Sequence, residues 1–319
     1  MSAPGGSTGL VFVCPTCRAP LAPQPQAMVC GGCAARFPVV DGIPRFVPPE
    51  NYSGSFGLQW NRHQLTQLDS HIGLPISRRR LFTTTGWPQR LEGQTVLEAG
   101  SGAGRFTEVL CSTGARIFSF DYSSAVEANA RNNGQAPGLT LFQGDIRRIP
   151  FPELTFDHVL CLGVLQHTPD PRASFLSLAR QVKPGGDLVV DVYRDSLAAR
   201  LQWKYLLRPF TRRLPAPVLY RAIAWLAPRL IAPTRLLRRW FGRAGARLSP
   251  IVEYSHLGLS PEHNREWAVL DTFDMYAPAY DLPQTTAALR GWYAEAGFVD
   301  VVVGDGPNGV AGRGRRPPG

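Results

Sequence analysis

The segment V-L-E-A-G-S-G-A-G-R-F, Val96 to Phe106, limits the choice of fold more than any other stretch of this chain. It reads as apolar strand, glycine-rich turn and helix start, in that order. Gly100, Gly102 and Gly104 let the backbone turn sharply and let a ligand approach with no Cβ in the way. From Thr95 onward, short apolar runs alternate with helical patterns. Strands are expected over 95–99, 116–120, 139–143, 157–162 and 187–192, and helices over 103–113, 123–133 and 171–182. Gly114 and Gly134 stand where helix C-caps are expected, and Ser123-Ser124 where an N-cap is. Continuous apolar strands alternating with helices specify a doubly wound α/β fold with a mostly parallel sheet covered on both faces.

Two acids qualify the glycine loop. Asp121 ends the second strand, 21 residues after Gly100, where a carboxylate can bind a ribose diol. Asp145 follows the third strand. A dinucleotide site would want a third glycine at position 105, where Arg105 stands; the pattern is instead E-x-G-x-G-x-G, starting at Glu98. This combination suits an adenosine with no diphosphate to cradle.

Residues 95–192 resemble the core of class I S-adenosylmethionine-dependent methyltransferases. The likeness rests on the loop, on Asp121, on Asp145-Ile146, on C-L-G-V-L-Q-H-T-P-D-P (Cys161 to Pro171) and on K-P-G-G (Lys183 to Gly186). It implies a Rossmann-like, seven-stranded sheet and S-adenosylmethionine as cofactor. Glu98, Gly100, Gly102 and Gly104 would form the loop at its methionine part. Asp121 would take the ribose, with Tyr122 beside it. Asp145 would accept from the adenine amine, Ile146 would pack on the ring, and Leu162 would line the site. F-G-L-Q-W-N-R-H (Phe56 to His63) and D-T-F-D-M-Y (Asp271 to Tyr276) resemble a subgroup acting on glycans or other small metabolites, which would bring Trp60, Asp271, Asp274 and Tyr276 to the acceptor; His256 is a further candidate. A plain core role for Trp60 and Phe273 is the alternative.

Cys14-x-x-Cys17 and Cys30-x-x-Cys33, twelve residues apart, have zinc-ligand spacing. Two tight knuckles would close a tetrahedral shell of four thiolates, with no open position, so Zn2+ is expected as a structural ion. F-P-V-V-D-G-I-P after the last cysteine resembles the zinc-ribbon activator subunit of tRNA and protein methyltransferases. Such a ribbon would either brace the catalytic domain or touch RNA or a partner. Cys111 and Cys161 lie in apolar stretches and read as small buried hydrophobes.

The expected organisation is a Ser/Gly/Pro-rich loose tail over 1–9, a zinc ribbon over 10–48, a connector with N-terminal helices over 49–94 and a methyltransferase core over 95–194. A basic helical and aromatic cap insertion follows over 195–282, and the last helix and edge strands of the core fill 283–319. One connector helix is expected over 77–85 and the last over 284–296. The net charge of +10 is concentrated: residues 194–247 hold 13 Arg and Lys against one acid, so the rest of the chain sums to about −2. Only two lysines occur, so arginine here is partly a matter of overall usage. Helical spacing in the cap is expected to be broken by Pro209, Pro215, Pro217, Pro228 and Pro233. Prolines and arginines also interrupt every apolar run before the ~18 residues a membrane span needs. The opening residues carry no export pattern, which makes the cytoplasm the expected location.

His167, after the fourth strand and at the rim facing the cofactor, is the candidate general base; a pocket-shaping role is the alternative. Gly163-Val164-Leu165-Gln166 stands where base-amino methyltransferases often carry N-P-P-Y, and Cys161 has no proline before it, against a cytosine C5 nucleophile. The expected activity is methyl transfer to a small metabolite or sugar-containing acceptor, at oxygen. The alternatives are an RNA methyltransferase gripping RNA with ribbon and cap, and a non-catalytic zinc-ribbon adaptor. Arg, Trp, Tyr and Phe interleaved over 195–247 suit an RNA backbone, an anionic membrane surface as a peripheral contact, or a solvated lid.

Overall fold

The computed structural model describes residues 10–200 and 202–319; the expected tail over 1–9 lies outside the described residues. Four short strands come first: β1 (Leu21–Gln24), β2 (Ala27–Cys30), β3 (Arg36–Val40) and β4 (Ile43–Pro44), antiparallel in that order. Three helices follow: α1 (Gly54–Arg62), α2 (Asp69–Ile72) and α3 (Ile76–Thr85). The alternation then runs β5 (Thr95–Ala99), α4 (Arg105–Cys111), β6 (Arg116–Asp121), α5 (Val126–Asn133), β7 (Leu139–Gln143), β8 (Phe156–Leu162), α6 (Pro171–Ala179) and β9 (Val182–Val192). The cap holds α7 (Leu197–Arg200), α8 (Trp203–Thr211), α9 (Ala216–Arg247) and α10 (Pro261–Tyr276). The chain returns through α11 (Thr286–Glu295), β10 (Val299–Gly306) and β11 (Gly309–Arg315).

The seven-stranded sheet has the order β10-β11-β9-β8-β5-β6-β7, parallel from β9 to β7 and antiparallel at β11 and β10. This is the doubly wound sheet expected, with the last two strands at one end. β11 sits between β9 and β10, and β10 is the edge. Gly312 and Gly314 let β11 lie under the Tyr293 ring, where a Cβ would sit 2.7 Å from ring carbons. The order of connections reverses around β5, so the loops after β5 and β8 diverge and leave a crevice at the strands' carboxyl ends.

The small sheet does not hang free. The Phe46 N–H donates to the Gln143 carbonyl at 2.8 Å and Val13 N–H to Pro150 at 2.9 Å, so the first unit covers the open edge of β7. Phe12 packs 4.8 Å from Phe151 and 5.2 Å from Phe46, which continues the main apolar core into the cysteine unit. An exposed parallel-sheet edge is a template for unwanted pairing, and this cover removes it.

Several local expectations are corrected. α5 begins at Val126 with Ala125 as its cap residue and no side-chain cap; Ser123 instead donates to Asp121 and accepts from the Ala125 N–H. Gly134 caps α5 in a right-handed conformation, while Gly114 has φ +79° two residues past the α4 cap. Pro228 and Pro233 do not end the cap helix: α9 runs through both, and its interruption is at Gly242, with φ +58° and ψ −141°. A buried stripe explains this. Leu219, Ile223 and Ala227 pack against Val269, Phe273 and Tyr276 of α10, and this burial outweighs the roughly 3 kcal/mol that a proline costs inside a helix. Cys161 is fully buried as expected, whereas Cys111 is half-exposed at the end of α4.

Candidate active site

The loop after β5 is held by its backbone. Gly100 and Ser101 N–H both donate to the Phe120 carbonyl, at 2.8 and 3.0 Å, and Gly102 N–H donates to Asp121 Oδ2 at 2.9 Å. Gly100 has φ +77°, and a Cβ there would lie 2.3 Å from Val164, so only glycine lets the β5 and β8 loops touch. Beyond this loop opens a cavity of about 1160 Å³, large enough for two small molecules side by side.

The cavity wall carries most of the expected cofactor residues: Gly100, Gly102, Asp121, Tyr122, Asp145, Ile146 and Leu162. Asp121 also accepts from Ser123 N–H at 2.8 Å and Ser123 Oγ at 2.6 Å; burial pushes its carboxyl up, against these hydrogen bonds. Asp145 is paired with Arg147, whose Nη2 donates at 2.8 Å. Two expected residues are not on the wall. Glu98 is sealed behind the loop, where Thr107 Oγ1 and Ser119 Oγ donate to its Oε2 at 2.6 and 2.7 Å. Gly104 faces α5: a Cβ would meet Asn129 at 2.2 Å and Asn133 at 2.3 Å. Both therefore act on the loop's shape from behind it.

Burial pushes the Glu98 carboxyl up to about 7, opposed by its two hydroxyl donors and helped by Asp121. An acid raised in the folded state is protonated there but ionised when unfolded between about pH 4.5 and 7, so stability falls as pH rises through that window. Thermal melts from pH 4.5 to 8 should show Glu98→Gln losing this slope and gaining on the parent chain at pH 8. An unchanged slope would place the Glu98 charge elsewhere.

The acceptor side is built by α1, α3, α10 and the turn after β8. Trp60, His256, Asp271 and Asp274 line the cavity, and Trp60 lies against Gly102 at the loop. Tyr276 does not line it; its hydroxyl donates to the Pro250 carbonyl at 2.7 Å and braces the cap. Burial raises Asp271 to about 6, with Asp274 one turn away adding to the effect. Residues that sequence reasoning missed are Tyr193, Gln67, Arg80 and Tyr254, all on the wall, while Gln59 belongs to the Phe56–His63 segment already expected there. Tyr193 directly follows β9, so its place at a carboxyl strand end was a usable signal. Arg80 carried none: it is buried by folding and donates to Asp191 at 2.7 Å.

His167 is 7% exposed, between the cofactor loop side and the cap. Its Nδ1 lies 3.0 Å from the Tyr280 carbonyl, which can only accept, so Nδ1 carries the proton and Nε2 the lone pair. Nε2 is buried, has no hydrogen-bond partner among the described residues, and lies 4.0 Å from Asp274 Oδ2. Asp274 is fixed by Tyr193 Oη at 3.0 Å and Gln59 Nε2 at 3.3 Å. Phe56 and Tyr193 hold the imidazole edge-on. Two other histidines are held by structural bonds: His63 is bonded to Tyr220 at 2.8 Å and pushed down to about 4 by burial, and His158 is bonded to Asp187 at 2.7 Å.

Far from the cavity, the sulfurs of Cys14, Cys17, Cys30 and Cys33 lie within 4.8 Å of one another. Cys14–Cys33 is 3.7 Å and Cys17–Cys30 3.3 Å. Zn–S bonds near ~2.3 Å put tetrahedral edges at about 3.8 Å, so the four sulfurs fit a Zn2+ shell. The Cys33 and Gly32 N–H groups point at the Cys30 sulfur and hold its thiol at about 6, against burial, which favours the thiolate a metal needs.

Residues 97–190, across the parallel sheet, match the family described as methyltransferase domain. The likeness extends to curated proteins over the same region. The chain is 36% identical over 104 residues to the ubiquinone biosynthesis O-methyltransferase of Hahella chejuensis, covering 31% of this chain and 42% of that one. It is 33% identical over 137 residues to the mitochondrial enzyme of that name from Schizosaccharomyces pombe, covering 41% and 50%. The chain thus spans about half the length of the curated relatives it matches. Among solved structures, 85% of the chain aligns with 99% of one chain from a complex containing the Haloferax volcanii Trm112 methyltransferase activator, at 15% identity and a TM-score of 0.48.

Proposed function

We propose that the protein is an S-adenosylmethionine-dependent O-methyltransferase acting on a hydroxyl of a small-molecule acceptor, with a structural Zn2+ on its four clustered cysteines. The observation that carries the reading is His167, a residue of the cavity wall whose buried Nε2 has no hydrogen-bond partner among the described residues. The O-methyltransferase names of the curated relatives support it.

The cofactor, when bound, supplies a methyl group on a sulfonium centre. Asp121 and the loop from Gly100 to Gly102 hold its ribose and methionine parts, while Asp145 and Ile146 hold the adenine. Placing the acceptor oxygen in line with the methyl carbon is the larger part of the catalysis. His167 Nε2 takes the acceptor's hydroxyl proton, and Asp274 stabilises the resulting imidazolium. Tyr193 and Gln59 keep Asp274 in place. Mixed charge on the cavity wall, with Arg80 close enough to Asp271 for each to shift the other, suits a polar acceptor of this size class. The free thiols and the ion they would hold are consistent with the cytoplasm as the working location.

The test is mass spectrometry of metabolite extracts incubated with cofactor bearing a labelled methyl group: a labelled methyl ether supports the reading, and label found only in RNA or nowhere removes it. At the cofactor end, Asp121→Ala should weaken cofactor binding about 10- to 100-fold, the loss of hydrogen bonds to a charged group. Calorimetry returning the parent affinity would refute the ribose assignment.

A further inference from the structure

The charge surplus of the cap has a partner in the apolar side chains exposed beside it. α9 buries one face against α10, through Leu219, Ile223 and Ala227. Its opposite face should then be polar in a solvated helix. It is not. Val218, Trp225, Leu236 and Trp240 recur at helical spacing on the outward side and are 42%, 60%, 46% and 66% exposed. Arg229 stands in the middle of this stripe with its guanidinium 4.3 Å over the Trp225 ring. Arg221, Arg235 and Arg239, all exposed, run along one flank. The stripe is about 33 Å long, at 1.5 Å per residue. α8, at the same side of the domain as the α9 end through the Trp203–Leu248 hydrogen bond of 2.8 Å, leaves Leu206 and Phe210 exposed as well.

Tryptophan and leucine on one strip with arginine along its border is the composition of a helix lying in a lipid interface, with rings at headgroup depth and guanidinium groups on phosphates. Among the described residues no helix is long and apolar enough to cross a membrane, so the geometry is that of a helix on the surface. We infer that the outward face of α9 docks the protein on an anionic lipid bilayer. Two other occupants fit less well. A second copy would press Arg221, Arg229, Arg235 and Arg239 against their own images, with no acid of the stripe to offset them. A nucleic acid would stack on the tryptophans but gain nothing from Val218 and Leu236, which offer no flat ring. The same helix reaches the cavity on its inner side through Arg238 and Arg247, so docking would hold the site close to the lipid surface.

The test is flotation of the full chain with vesicles of phosphatidylcholine alone and with about 30% phosphatidylglycerol added. The protein should float with the anionic vesicles and stay behind with the neutral ones, and raising salt should weaken binding. The double substitution Trp225→Ser, Trp240→Ser should reduce flotation on the order of tenfold. Both side chains are mostly exposed, and an unchanged melting temperature and cofactor affinity confirm that the variant is folded. Equal flotation with both vesicle types, or full flotation of the double variant, overturns the proposal. So does a dimer in light scattering that the double variant makes monomeric while neither binds vesicles, and so does RNA retention lost in that variant without any vesicle binding.

Discussion

His167→Ala should lower kcat by about 10²- to 10⁴-fold and leave cofactor affinity unchanged, as expected when a general base is removed. The prediction follows from three observations at one ring. Nδ1 is committed to the Tyr280 carbonyl, Nε2 is buried without a partner, and Asp274 waits 4.0 Å away to hold a positive imidazolium. A side chain that only filled space would not need an orphaned nitrogen, which costs about 1–3 kcal/mol when buried. His167→Gln keeps much of the volume and a polar end but cannot carry the proton away at neutral pH. It should be nearly as slow as the alanine variant. Single-turnover rates across pH check this. A variant that raises KM with little change in kcat, and keeps the parent's pH profile, would make His167 a wall of the pocket instead. Asp274→Asn should cost less, because its role is to stabilise a charge that His167 has already accepted.

The second large effect concerns the cysteines. Metal analysis of the purified chain should return about one zinc per molecule, and Cys14→Ser should lower that value. Cys14 is fully buried and belongs to the same apolar core as Phe142, Phe151 and Phe156, so losing the ion does not loosen a tail. It frees Phe12 and Phe46 from that core and strips the cover from β7. Structural zinc supplies on the order of 10 kcal/mol to an isolated ribbon. Even a third of that, at about 2–4 °C per kcal/mol, lowers the melting temperature by roughly 10 °C. The loss should reach the cofactor too. Arg45 donates to Gln143, and Gln143 donates to the Tyr122 carbonyl at 3.1 Å, directly after Asp121. Full zinc in Cys14→Ser, or a melting temperature within a degree of the parent, would sink the shell. A large drop in melting temperature with intact cofactor affinity would confine the ribbon to bracing.

The parallel sheet was legible because its strands are buried on both faces and therefore apolar throughout; β7 begins and ends where the pattern put it. The loop side of the cavity wall was legible because glycine loops and strand-end acids are local signals. Glu98 was misplaced for a physical reason: alternation within a strand sends neighbouring side chains to opposite faces, and Glu98 points at Thr107 and Ser119 behind the loop. The acceptor side was only partly readable. Asp271 and Asp274 sit one turn apart on α10 and both reach the cavity, but Tyr276 turns away because a helix carries it to another face. Arg80 and Gln67 come from a connector with no motif at all, and only folding brings them there. In the cap, local propensity pointed to breaks at Pro228 and Pro233, and burial against α10 overrode it.

The place of β11 also bears on how the molecule is made. β10 is translated first but has no neighbour to pair with, because the slot beside β9 belongs to a strand that comes later. On a translating ribosome, the Rossmann-like half can close as soon as β9 emerges, while α11 and β10 must wait until residues 309–315 leave the exit tunnel. A protease acting between 306 and 309 in that interval would meet an exposed loop, and a chaperone bound there would hold back the last step of assembly.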